Sequence, residues 1–109
     1  MQTLHRYLEK VLGPQVPPQE MPGAKLRGLP AFLAGGYRFR EWPFLGQELV
    51  LAETDIPAAD VSATELRGHA RQLAAHLGRP VVFVLAGVEP YQRNRLVQLG
   101  VPFIVPEQQ

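Results

Sequence analysis

The chain has 109 residues, of which 46% are hydrophobic, and its eleven basic and ten acidic side chains leave a formal charge of +1. That length and composition fit one domain with one core and exclude disorder of the whole chain. The absence of cysteine excludes a disulfide framework, thiol chemistry and cysteine-ligated zinc. The near-balanced charge argues against a strong non-specific nucleic-acid binder, which carries a basic excess, but leaves room for a local basic patch. The longest apolar run, Val81 to Ala86, is far too short to cross a bilayer. Residues Met1 to Arg6 lack the apolar stretch of a signal peptide. The expectation is a cytoplasmic chain with no membrane contact.

In chain order, Leu4, Tyr7, Leu8, Val11 and Leu12 recur at helical spacing and predict a helix over 3–12, with Thr3 as N-cap and Gly13-Pro14 as its stop. Pro14, Pro17, Pro18 and Pro22 make 14–23 an extended connector that straps this helix to the core. Residues 1–28 are thus read as helix and connector, and 29–109 as the α/β domain, within one structural domain. Leu29 to Ala34 predicts a short helical turn ended by Gly35-Gly36. Tyr37 and Phe39 alternate with Arg38 and Arg40, a half-buried strand. Trp42 to Gly46 is read as its break, and Glu48 to Glu53 as a second strand, giving a hairpin with a loop of several residues.

Residues 55–60 read as a loop. Ser62-Ala63-Thr64-Glu65 is a capping box opening the clearest helix, with Leu66, Ala70, Leu73 and Leu77 on one face and Gly78 at its end. Val81 to Ala86 shows no alternation, which predicts a central strand covered on both faces. Glu89-Pro90 starts another helix, Gly100 ends it, and Val101 to Val105 is a final strand whose Pro102 suits its start or an edge. The expected fold is a small α/β domain: a mixed sheet with an N-terminal hairpin, a C-terminal βαβ unit and helices packed on the sheet.

Motifs for chemistry are sparse. Gly35-Gly36 matches no phosphate-binding loop. Ser62, the sole serine, is accounted for by capping. His69 and His76 share a helix flank but stand two turns apart, about 10 Å along the axis, too far to share a metal. Glu48, Glu53, Asp55 and Asp60 cluster around the second strand, an arrangement compatible with a divalent-metal nuclease of restriction-enzyme type. That chemistry wants a lysine beside the acids, and the two lysines, Lys10 and Lys25, both lie upstream. Neither catalytic nor metal residues are assigned, no cofactor is expected, and the chain is read as not an enzyme.

Arg67 and Arg71, four apart, form an exposed pair on one helix face. Arg93 and Arg95, two apart, point to opposite flanks. Arg38 and Arg40 share one strand face near Trp42, the best grouping for a binding patch, against the alternative of arginine stems covering aromatic surface.

Tyr91-Gln92-Arg93-Asn94-Arg95-Leu96-Val97, followed by Gly100-Val101-Pro102-Phe103-Ile104-Val105-Pro106, resembles the N-terminal region of bacterial MarR-type winged-helix transcriptional regulators. Pro80 to Val84, Tyr37-Arg38-Phe39, Leu45-Gly46, Leu49-Val50-Leu51 and Leu66 to Leu77 stand in matching order, so the resemblance spans roughly 29–106. It implies a regulatory or protein-interaction domain associated with transcription, with no catalytic residues. The sequence ends at Gln109 without a winged helix, so DNA contact is expected to be indirect. The implied partner is a protein or a second copy of this chain. The candidate interaction residues are Arg38, Arg40, Trp42, Tyr91, Arg93 and Arg95. The alternative reading is a nucleic-acid-binding module on a degenerate restriction-nuclease-like fold.

Overall fold

A computed structural model describes residues 2–13 and 16–106. Its elements are α1 (Gln2–Leu12), β1 (Gln19–Glu20), α2 (Ala31–Ala34), β2 (Arg38–Phe44), β3 (Gln47–Thr54), α3 (Ala63–Leu77), β4 (Val81–Leu85), α4 (Pro90–Gln98) and β5 (Phe103–Ile104). The five strands form one mixed sheet in sequence order, β1-β2-β3-β4-β5. The β1–β2 and β2–β3 pairs are antiparallel. The β3–β4 and β4–β5 pairs are parallel. The expected mixed α/β sheet is therefore present, and α3 and α4 each serve as a crossover between parallel strands.

The two sheet faces carry different loads. Val50 and Ala52 of β3 and Val81, Phe83 and Leu85 of β4 join Leu66, Leu73 and Leu96 of α3 and α4 in the larger core. Their neighbours of opposite parity, Leu51 and Val84, pack with Trp42 beneath Leu4 and Leu8 of α1. The unbroken apolar run of β4 is explained by this placement, since both its faces are covered. Cluster sizes differ because two helices cover one face and a single helix covers part of the other.

Local chemistry sets the helix ends. Ser62 Oγ accepts the Glu65 amide at 3.3 Å, and Gly78 closes α3 in the left-handed region at φ 70°. Pro90 occupies the first turn of α4, where no helical donor is needed. The amide of Gly13 donates to the Glu9 carbonyl at 2.9 Å, which ends α1; Pro14 lies outside the described residues. Thr3 is not the N-cap, because α1 already includes Gln2. The packing of Leu4 and Leu8 on the sheet holds the first turn in the helix beyond the local capping signal.

The hairpin also corrects the sequence reading. Trp42, Pro43 and Phe44 do not break β2 but continue it, pairing with Leu49, Glu48 and Gln47. The loop is the two-residue turn Leu45-Gly46, with φ 51° and 79°, the double positive φ of a type I′ turn. Pro43 is tolerated for a definable reason. The Phe39 carbonyl accepts the Met21 amide, so odd-numbered residues of β2 turn their backbone groups toward β1. β1 reaches only as far as Glu41, and the missing donor of Pro43 faces the open edge beyond it.

The connector holds to the sheet through three anchors. β1 pairs with β2, Met21 is buried in the larger core, and Trp42 Nε1 donates to the Val16 carbonyl at 3.1 Å. Lys25 and Arg79 both donate to Glu41 Oε2, tying the segment before α2 and the α3–β4 junction to β2.

Candidate interaction surfaces

The arginines of β2 are held by acids of β3 and the residue just beyond it. Arg38 stands opposite Glu53 and donates to both carboxylate oxygens of Asp55, at 3.1 and 3.2 Å. Arg40 donates to Glu53 Oε1. The Arg38 bonds hold the Asp55 carboxyl below the usual carboxylate range, and Lys25 first, then Arg79, does the same for Glu41. Trp42, the third member of the expected patch, is buried against α1 and stacks on Phe44 with ring centroids 4.8 Å apart. Arg38, Arg40 and Trp42 share a face, as their alternation requires, yet they are engaged within the fold.

Of the four acids grouped around β3, only Glu53 and Asp55 come together. Glu48 sits opposite Pro43 near the hairpin turn, at the other end of the strand. Glu53 and Asp55 line a polar depression of about 390 Å³ with Gly36, Tyr37, Arg38 and Thr54. No group of three or more His, Cys, Asp or Glu side chains is placed to hold a metal among the described residues.

The histidines of α3 face the segment before β2. His69 Nδ1 lies 2.7 Å from the Tyr37 hydroxyl, and its ring packs 5.5 Å from Phe32. Burial first, then the Glu65 carboxylate, pushes the Tyr37 phenol up to about 12. The His76 ring lies where a side chain on Gly28 would stand. These contacts explain the histidine flank without a ligand. Helical spacing placed the two histidines on one flank but carried no sign of what lay across from it.

On α4 the candidate residues divide. The Arg93 guanidinium lies 5.9 Å over the Phe103 ring of β5. Gln92 turns the other way, its Oε1 accepting the Ala63 amide at 2.9 Å and so capping the first turn of α3. Tyr91 is 69% exposed. Arg95 is partly exposed.

A second surface lies on the face under α1. Leu4 and Leu8 are buried, whereas Val11 and Leu12 in the last turn of the helix are 56% and 44% exposed. Between that turn and the sheet is an apolar groove of about 320 Å³, floored by Phe44, Leu49, Val82 and Ile104. Periodicity alone assigns Val11 and Leu12 to the buried face. Nothing in the helix's own residues signals that the sheet falls short of them.

No helix among the described residues is long and apolar enough to cross a membrane. The chain matches no family model, no curated protein and no solved structure.

Proposed function

We propose that this chain is a non-enzymatic regulatory domain that acts through protein contacts in transcriptional regulation, and that the groove beside α1 is its contact surface. The groove carries the reading: Val11 and Leu12 stand exposed beside a slot floored by four apolar sheet residues. Contiguous exposed apolar surface of this kind marks interaction sites. The occupant is a second copy of the chain. Each copy offers both a ridge, Val11-Leu12, and a slot, which suits the self-complementary patch of a two-fold dimer. The association with transcription rests on the resemblance of Tyr91–Val97 and Gly100–Pro106 to MarR-type regulators. Against the nuclease-like alternative, the Glu53 and Asp55 carboxylates are already engaged by Arg38 and Arg40.

Sedimentation velocity over a wide concentration range tests this. The wild-type chain is expected to dimerise reversibly. The Val11→Glu, Leu12→Glu double variant is expected to remain monomeric with an unchanged circular dichroism spectrum. A wild-type chain that stays monomeric at the highest concentration overturns the self-association reading.

A further inference from the structure

On the opposite face of the sheet, α3 and α4 lie side by side, and helical geometry places four of their side chains on the outward flanks where the two helices meet. The hydrogen bond from the Ala63 amide to Gln92 Oε1 sets the first turns of both helices at the same height. The contacts already described fix which flank of each helix meets the other. On α3, His69 and His76 face the segment before β2, so the opposite flank faces α4. On α4, Arg93 faces Phe103 of β5, so the flank bearing Gln92 faces α3.

At about 100° per residue, Arg67 and Arg71 fall on the α4-facing, outward flank of α3, and Tyr91 and Arg95 on the α3-facing, outward flank of α4. With about 1.5 Å of rise per residue, Arg67 and Arg95 stand level, Arg71 lies one turn beyond them, and Tyr91 one turn before. On this geometry the furrow where the two helices meet carries a strip about 12 Å long, with the exposed Tyr91 ring at one end and the exposed Arg71 and partly exposed Arg67 and Arg95 along it. None of Arg67, Arg71 and Arg95 makes an ion pair or side-chain hydrogen bond among the described residues. Glu65, the acid nearest in sequence, lies on the far flank of α3, where it acts on Tyr37. The acids at the furrow's N-terminal mouth are Asp60 and Glu89, both exposed.

We propose that this furrow binds a short stretch of single-stranded nucleic acid, with Arg67, Arg71 and Arg95 contacting phosphates and Tyr91 stacking on a base. An acidic peptide satisfies the arginines equally well but makes no use of the exposed ring. A basic groove with an aromatic platform is the pairing that single strands require. Arginine suits the task, since its planar fork matches phosphate bidentately, and nine of the eleven basic side chains in this chain are arginine. The furrow is separate from Arg38 and Arg40, and it lies across the sheet from the proposed dimer groove.

The test is fluorescence anisotropy with a labelled oligothymidylate at low and near-physiological salt. Binding is expected at low salt and is expected to weaken as salt rises. Arg67→Ala with Arg71→Ala should weaken it about tenfold or more and flatten the salt slope by about 0.7 for each phosphate no longer neutralised. Tyr91→Ala should weaken binding about tenfold, whereas Tyr91→Phe should preserve it, because the ring and not the hydroxyl does the stacking. These side chains are on the surface, and thermal melts of each variant separate impaired binding from impaired folding. Absence of binding at low salt overturns the proposal, as does binding indifferent to Arg67 and Arg71. Equal binding to a duplex overturns the role of Tyr91, and displacement by polyglutamate at equal concentration overturns the proposal in favour of an acidic protein. None of these outcomes depends on dimerisation, which sedimentation reads independently.

Discussion

Tyr37 shows how one half-buried phenol links the segment before β2 to α3. Its hydroxyl is 2.7 Å from His69 Nδ1, and its ring lies 5.5 Å from that of Phe83 in the larger core. Burial, with a smaller effect from Glu65, raises its pKa from 10.0 to about 12. A raised folded-state value favours the neutral phenol in the fold, so its contribution is fully present below pH 10 and is lost as pH climbs toward 12. Tyr37→Phe is expected to cost about 1 kcal/mol at neutral pH, the worth of one hydrogen bond. It should also remove this source of alkaline sensitivity. Urea midpoints of both proteins should therefore converge as pH rises through 10 to 12. A constant gap across that range contradicts the assignment. Glu41 works at the opposite end of the scale. Lys25 and Arg79 hold its carboxyl below the ordinary value of 4.5, so its contribution is present above that pH and fades on acidification. Both ion pairs are partly exposed, and Glu41→Gln is expected to cost only about 0.5–1 kcal/mol at neutral pH, read as a small fall in the urea midpoint.

At the level of elements, much of this fold was legible because its signals are local. The Ser62 cap, the Gly78 stop, the uniform β4 and the Pro90 start each depend on a few neighbouring residues, and each stands where those residues put it. The reading failed at the hairpin, where proline within a strand is acceptable only if its edge is open, a fact of pairing and not of sequence. That hairpin also holds strain, since Leu45 adopts φ 51° and is 86% exposed. A leucine there has the steric cost of positive φ without a packing return. Leu45→Asn gives the Asn-Gly pair that type I′ turns prefer and is expected to stabilise the chain by about 0.5–1 kcal/mol, raising the melting temperature by several degrees. Gly28 makes the converse case. It has φ 90°, and an added Cβ would lie 2.9 Å from His76 Cε1. Gly28→Ala is expected to be destabilising for both reasons. Combining it with His76→Ala should recover the steric part and leave the backbone part, so the double-mutant cycle should show positive coupling in urea denaturation.

The whole molecule is asymmetric about its sheet, and this explains why its candidate surfaces were harder to read than its elements. Arg38, Arg40 and Trp42 were legible as a cluster, because strand parity puts them on one face. That α1 would bury the tryptophan and that Glu53 and Asp55 would engage the arginines depends on packing between segments distant in sequence. The Arg67–Arg71 pair was visible on one helix. Its alignment with Arg95 and Tyr91 needed the height and rotation of a second. The same asymmetry has an energetic consequence. Among the described residues, the α1 side of the sheet buries Leu4, Leu8, Trp42, Leu51 and Val84, whereas the core under α3 and α4 buries sixteen. Leu8→Ala removes about 2–5 kcal/mol of packing from the smaller of these clusters, and α1 has little other packing to compensate. It is expected to undock before the rest of the domain unfolds, as a local opening. Trp42, the only tryptophan, lies beneath α1 and reports this directly. In Leu8→Ala, tryptophan emission should shift to the red at lower urea than the main loss of helical dichroism, of which α3 (15 residues) and α4 (9 residues) carry the larger share and α1 (11 residues) the rest. The wild-type chain should show the two transitions closer together. Coincident transitions in the variant would mean that the two faces unfold as one unit, with the sheet coupling them too tightly for α1 to leave alone.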